Sequence, residues 1–222
     1  MKYRILIAAL LSLIPLLTYA DGLAVTGRLG STGGGVELSK LYSEKFTGRI
    51  GFNTFNYNTG LTRNNINYDF HLKLQTATAL ADWYPYAGIF RVSGGLILNR
   101  NRVDLNAQPN SGNTYTINGR VYTSGSEAQS LNGGVRFNLI APYIGIGWGN
   151  PVEKQKKWGL VSDIGLMLQG APKTNLDVTC APGYSGCASL QNDTAAERSK
   201  LDSSVSNFKL LPVLTIGASY QF

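Results

Sequence analysis

Between Leu210 and Phe222 every second position is apolar. Leu210, Pro212, Leu214, Ile216, Ala218, Tyr220 and Phe222 share one side of an extended strand, and Thr215, Gly217, Ser219 and Gln221 take the other. The same period of two recurs upstream. In 158–170, Trp158, Leu160, Ile164, Leu166 and Leu168 oppose Asp163, Gly165 and Gln169. In 140–149, Ile140, Pro142, Ile144, Ile146 and Trp148 oppose Tyr143, Gly145, Gly147 and Gly149. In 89–103, Phe90, Val92, Leu96 and Leu98 oppose Arg91, Ser93 and Asn99. In 70–84, Phe70, Leu72, Leu74 and Leu80 oppose His71, Lys73 and Gln75, and in 46–54, Phe46, Ile50 and Phe52 oppose Arg49 and Asn53.

Alternation of this kind also suits a soluble sandwich, but such a fold buries its apolar faces and covers the outside with charge. Only 15% of this chain is charged. A transmembrane barrel inverts the arrangement, turning the apolar face to lipid and filling its interior with polar and small residues in segments of about ten. The expected fold is therefore all-β, an antiparallel up-and-down transmembrane β-barrel.

The terminal run resembles the last strand of bacterial outer-membrane barrel proteins, in which a final aromatic (here Phe222), Tyr two residues earlier (here Tyr220) and alternating apolar positions form a signature. The resemblance is sharp over the last dozen residues and elsewhere extends only to pattern. It implies a place in the bacterial outer membrane, with its lipid and lipopolysaccharide as surroundings and Tyr220 and Phe222 read by the outer-membrane assembly machinery. The architecture it implies is similar to that of the OmpA-like and OmpW-like families.

Residues 1–20 read as an export signal: Lys2 and Arg4 precede the apolar run from Ile5 to Leu17, and Thr18-Tyr19-Ala20 offers a small-residue cleavage site. Cleavage after Ala20 leaves a single barrel domain, 21–222. It also removes two cations, so the formal charge falls from +7 to +5. The remaining Lys and Arg are scattered, apart from Lys154, Lys156 and Lys157, which gives no nucleic-acid footprint.

Aromatic groups gather near segment ends, at Trp83-Tyr84-Pro85-Tyr86, Trp148 and Trp158, as interfacial girdles require. The short connections 86–88 and 150–157 are expected on the periplasmic side. The long stretches 58–69, 104–131 and 173–207 are expected as extracellular loops. Near the N-terminus the apolar positions switch from odd (Leu23, Val25, Leu29) to even (Val36, Leu38) across Ser31-Thr32-Gly33-Gly34-Gly35. A tight hairpin there brings the count to eight strands, whereas one long strand with a glycine bulge leaves it odd. Asn118-Gly119 predicts a hairpin within the second loop. A short helix is expected between Ser189 and Phe208, capped at Asn192 or Asp193; a solvated loop helix and a plug for the barrel mouth both fit it.

The chemistry-bearing residues are few. Cys180 and Cys187 predict a disulfide closing a small exposed loop, and they offer too few ligands for a metal. The single histidine, His71, has no nucleophile motif near it in sequence, and the runs Gly33-Gly34-Gly35 and Gly94-Gly95 lack the residues of a phosphate loop. No catalytic residue, metal or cofactor is assigned, and a lipid-modifying enzyme is the least favoured function. Arg49, His71, Lys73, Arg91 and Asp163, with Glu37 as a further partner, are expected to form a polar network in the lumen. Such a network suits a plugged scaffold with an envelope-structural or surface-interaction role; the alternative is a narrow channel for small or hydrophobic solutes.

Overall fold

The computed structural model describes residues 22–63, 66–86, 88–109, 112–153 and 157–222. The proposed signal segment and Lys154 and Lys156 lie outside these residues. Eight strands close the barrel: β1 (Leu23–Gly30), β2 (Gly33–Ser43), β3 (Phe46–Arg63), β4 (Ile66–Trp83), β5 (Phe90–Asn99), β10 (Ile140–Trp148), β11 (Trp158–Leu168) and β13 (Leu210–Gln221). Each pairs antiparallel with its neighbour in that order, and β13 returns to β1. The N-terminal region is thus a hairpin, with Gly33 at φ +102°, a conformation that glycine adopts without strain.

The outer face follows from the alternation. Leu29, Val36, Ile50, Leu96, Ile144, Leu160 and Ile216 are all exposed on it, while the intervening residues turn inward. In water such a surface would be costly; in lipid it is the stable arrangement.

Not all strands stop at the barrel rim. β3 and β4 run on as a long hairpin, so 58–69 is strand rather than the loop expected from sequence. The outer half of β4 pairs with β6 (Arg102–Pro109), β6 with β9 (Ala128–Arg136), and β9 with β12 (Lys173–Cys180). The register continues without a slip from the β4–β5 pair into the β4–β6 pair. The barrel wall therefore rises on one side into a five-stranded sheet.

One face of this raised wall is apolar, and it holds a second core in which Ala107, Tyr115, Ile117, Tyr122, Ala128 and Leu190 are buried together. The tyrosines and Ile117 come from the hairpin β7 (Thr114–Ile117) and β8 (Arg120–Thr123). Its turn is Asn118-Gly119, with φ of 51° and 80°, as that dipeptide predicts.

Leu190 belongs to the helix α1 (Cys187–Val205), which packs against β12 and touches β7. Its N-cap position is Gly186, not Asn192 or Asp193. Asp193 instead accepts hydrogen bonds from Tyr122 Oη and from Asn118 Nδ2 at 3.0 Å, tying the helix to the hairpin. Asp202 accepts from the Thr174 amide and hydroxyl at 2.7 and 2.8 Å, tying it to β12. The Cys180–Cys187 disulfide joins the end of β12 to the start of the helix.

Candidate functional site

An eight-stranded barrel is just wide enough for its side chains to fill, and the lumen here holds two successive layers. The layer nearer the chain termini is ionic. Arg28 comes from β1, Glu37 from β2, Arg49 from β3, Asp82 from β4, Arg91 from β5 and Asp163 from β11, so three guanidinium groups face three carboxylates. The formal charges balance.

Arg49 sits at the centre of this layer with its side chain fully buried. Its Nε lies 2.6 Å from Asp82 Oδ2 and its Nη2 donates to Asp82 Oδ1 at 2.8 Å, while Nη1 reaches Glu37 at 3.2 Å. Arg91 Nη2 donates to Asp163 Oδ1 at 2.7 Å. Arg28 pairs with Glu37 and Asp163. Two hydroxyls complete the set: Ser93 donates to Asp82 at 2.6 Å and Thr215 to Asp163 at 3.2 Å. Burying a charge is tolerable only when it is paired and hydrogen-bonded, and each carboxylate here is shared between at least two partners.

The second layer is apolar. Leu80, Ile97, Ala141, Tyr143, Met167 and Val213 pack together inside the barrel, on the side away from the termini, since Leu80, Ile97, Met167 and Val213 lie further toward that end of their strands than Asp82, Arg91, Asp163 and Thr215 do. The Tyr143 ring lies over Gly145 and Gly165, which are Cα partners on β10 and β11. A Cβ at either glycine would collide with the Tyr143 ring. Small residues at these two places are what let a large aromatic lie against the inner wall of so narrow a bore.

Of the residues expected in the lumen, Arg49, Arg91 and Asp163 meet there, with Glu37. His71 and Lys73 do not. His71 is exposed on the raised wall, its Nδ1 3.0 Å from Asn58 Oδ1, and Lys73 stands beside Arg102 on the same outer face. Leu80, read as lipid-facing, is buried inside.

The cause is a reversal within one strand. Even positions of β4 point inward throughout, but in lipid the inward face is polar, whereas on the raised wall the inward face is the apolar one. Reading Phe70, Leu72 and Leu74 as lipid-facing therefore assigned the wrong face to the whole strand. It also hid Asp82, which sequence reading missed. Arg28 was missed although its signal was present, since it lies between the lipid-facing Val25 and Leu29 at an inward position.

No protein-family model matches the chain, and no curated protein matches it. Among the solved structures that share its fold are two outer-membrane eight-strand barrels of Acinetobacter baumannii. CarO2 is 21% identical, with 90% of this chain and 98% of that one covered and a TM-score of 0.55. CarO is also 21% identical, with 90% and 97% covered and a TM-score of 0.54.

Proposed function

We propose that the chain is an outer-membrane barrel protein that conducts no solute and works as an envelope scaffold or surface-interaction module through its raised wall. The observation that supports this reading is the double closure of the lumen. A solute passing along the axis meets a charge-balanced ion cluster whose members are already paired, and then a packed apolar layer that includes Tyr143.

Opening the first layer breaks buried ion pairs, each costing about 3–5 kcal/mol when one partner loses the other. Opening the second exposes packed side chains to water. Neither offers a dilute polar solute a compensating interaction. The wall, by contrast, presents its outer face, its hairpin and its helix to the medium.

Liposome swelling tests the proposal. Vesicles carrying the refolded protein are expected to exclude small sugars and amino acids as well as protein-free vesicles do. Swelling at a rate that rises with the amount of folded protein would favour the channel reading instead.

A further inference from the structure

The outer face of the raised wall carries its positive charge in one row. Asn56, Lys73, Arg102, Arg136 and Lys173 are Cα partners from strand to strand across β3, β4, β6, β9 and β12. They continue the face that is lipid-exposed lower down, where Ala77, Leu98 and Ile140 are similarly aligned. At ~3.3 Å per residue, Lys73 stands about 13 Å further along β4 than Ala77. With strands tilted by roughly 40°, the row lies about 10 Å beyond the last apolar residues, at headgroup depth.

Like charges placed side by side across a sheet repel. Among the described residues the row has one ion pair, Arg102 Nε to Asp104 at 3.1 Å. The arrangement is therefore poised for an external anion, and guanidinium groups bind phosphate in a bidentate fork.

Directly above the row the face changes chemistry. Asn58, His71, Asp104, Asn106, Asn132 and Asn175 line, together with Lys73 and Arg102 of the row itself, a shallow recess of about 530 Å³. Amide side chains both donate and accept, which is what closely spaced sugar hydroxyls require.

We infer that this face binds the phosphorylated sugar headgroup of the outer leaflet's glycolipid, with phosphates on the cationic row and sugar hydroxyls on the amides beyond it. The inference rests on the outer-membrane reading, and it needs the raised wall to stand on the outer-leaflet side.

The test uses the refolded protein in phospholipid nanodiscs, titrated with rough-type lipopolysaccharide, its dephosphorylated form, and an anionic phospholipid. Lys73→Gln/Arg136→Gln/Lys173→Gln removes three of the row's four cations and leaves Arg102 paired with Asp104. Lys40→Gln/Lys45→Gln/Lys157→Gln removes the same charge near the opposite rim.

Each cation beside an anionic headgroup is worth roughly fivefold in affinity, so the first triple variant is expected to bind lipopolysaccharide about a hundredfold more weakly. The second is expected to bind as the wild type does, and dephosphorylated lipopolysaccharide to bind weakly to all three proteins. Unchanged binding by the first triple variant would overturn the site. Equally tight binding of the anionic phospholipid would overturn the glycolipid as its occupant. A wild-type protein with no heat-modifiable gel mobility would overturn the barrel reading itself, which separates the two failures.

Discussion

Asp163 and Arg91, 72 residues apart in sequence, are joined in the lumen by a 2.7 Å hydrogen bond, and the same carboxylate is approached by Arg49 and Arg28. One acidic group on β11 thereby ties together guanidinium groups from β1, β3 and β5. Its removal leaves three buried cations facing two carboxylates. Asp163→Ala is expected to destabilise the barrel by about 3–5 kcal/mol, the usual cost of orphaning a buried ion. Urea unfolding from lipid vesicles measures this, and a midpoint equal to the wild type's would show that the cluster contributes nothing to stability.

The Tyr143 ring occupies space that Gly145 and Gly165 leave open. Gly165→Ala forces the ring to move and is expected to cost about 1–3 kcal/mol by overpacking. Adding Tyr143→Leu removes the obstacle, so the double variant should lose less than the sum of the two single ones. Strict additivity in the same unfolding assay would place the ring elsewhere.

These two layers show how far the sequence could be read. In β5, β10, β11 and β13 the outward positions are predominantly apolar and lipid defines their meaning, so the inward positions Arg91, Tyr143, Asp163 and Thr215 were readable from parity alone, although Ile97, Met167 and Val213 are apolar on the inner face as well. β4 was not readable in that way, because water and lipid act on different halves of one continuous strand. Phe70, Leu72 and Leu74 face the protein core of the wall, Ala77 and Ala79 face outward below them, and the parity never changes. The ring of partners around Arg49 also lay beyond reach. Parity says that a side chain points inward but gives no depth along the barrel axis, and contact depends on depth as well as on face.

The disulfide fastens the first turn of α1 to β12 and lies outside the barrel. Reduction is therefore expected to raise hydrogen exchange across residues 181–190 while leaving heat-modifiable gel mobility as it was. Loss of that mobility on reduction would mean that the bridge supports the barrel as well as the loop.

Two carboxylates anchor the same helix. Hydrogen bonds from Tyr122 and Asn118 hold Asp193 below its ordinary titration range, and the amide and hydroxyl of Thr174 do the same for Asp202. A carboxyl depressed in the folded state stabilises it fully above the unfolded group's titration range, and that contribution is lost as pH falls through the lower folded value. Helix protection against exchange should thus stay level from neutral pH down to the usual carboxylate range, then fall. In Asp193→Asn/Asp202→Asn the fall should be much reduced. An undiminished acid transition in that variant would assign the effect to other groups.

Single-channel conductance of the refolded protein in planar bilayers tests the closed lumen most directly, on a sample shown by heat-modifiable mobility to be folded. The two packed layers predict a silent membrane at all moderate voltages. Reproducible discrete openings, with an amplitude that does not depend on the preparation, would contradict them and make Arg49, Arg91 and Tyr143 the residues past which ions move.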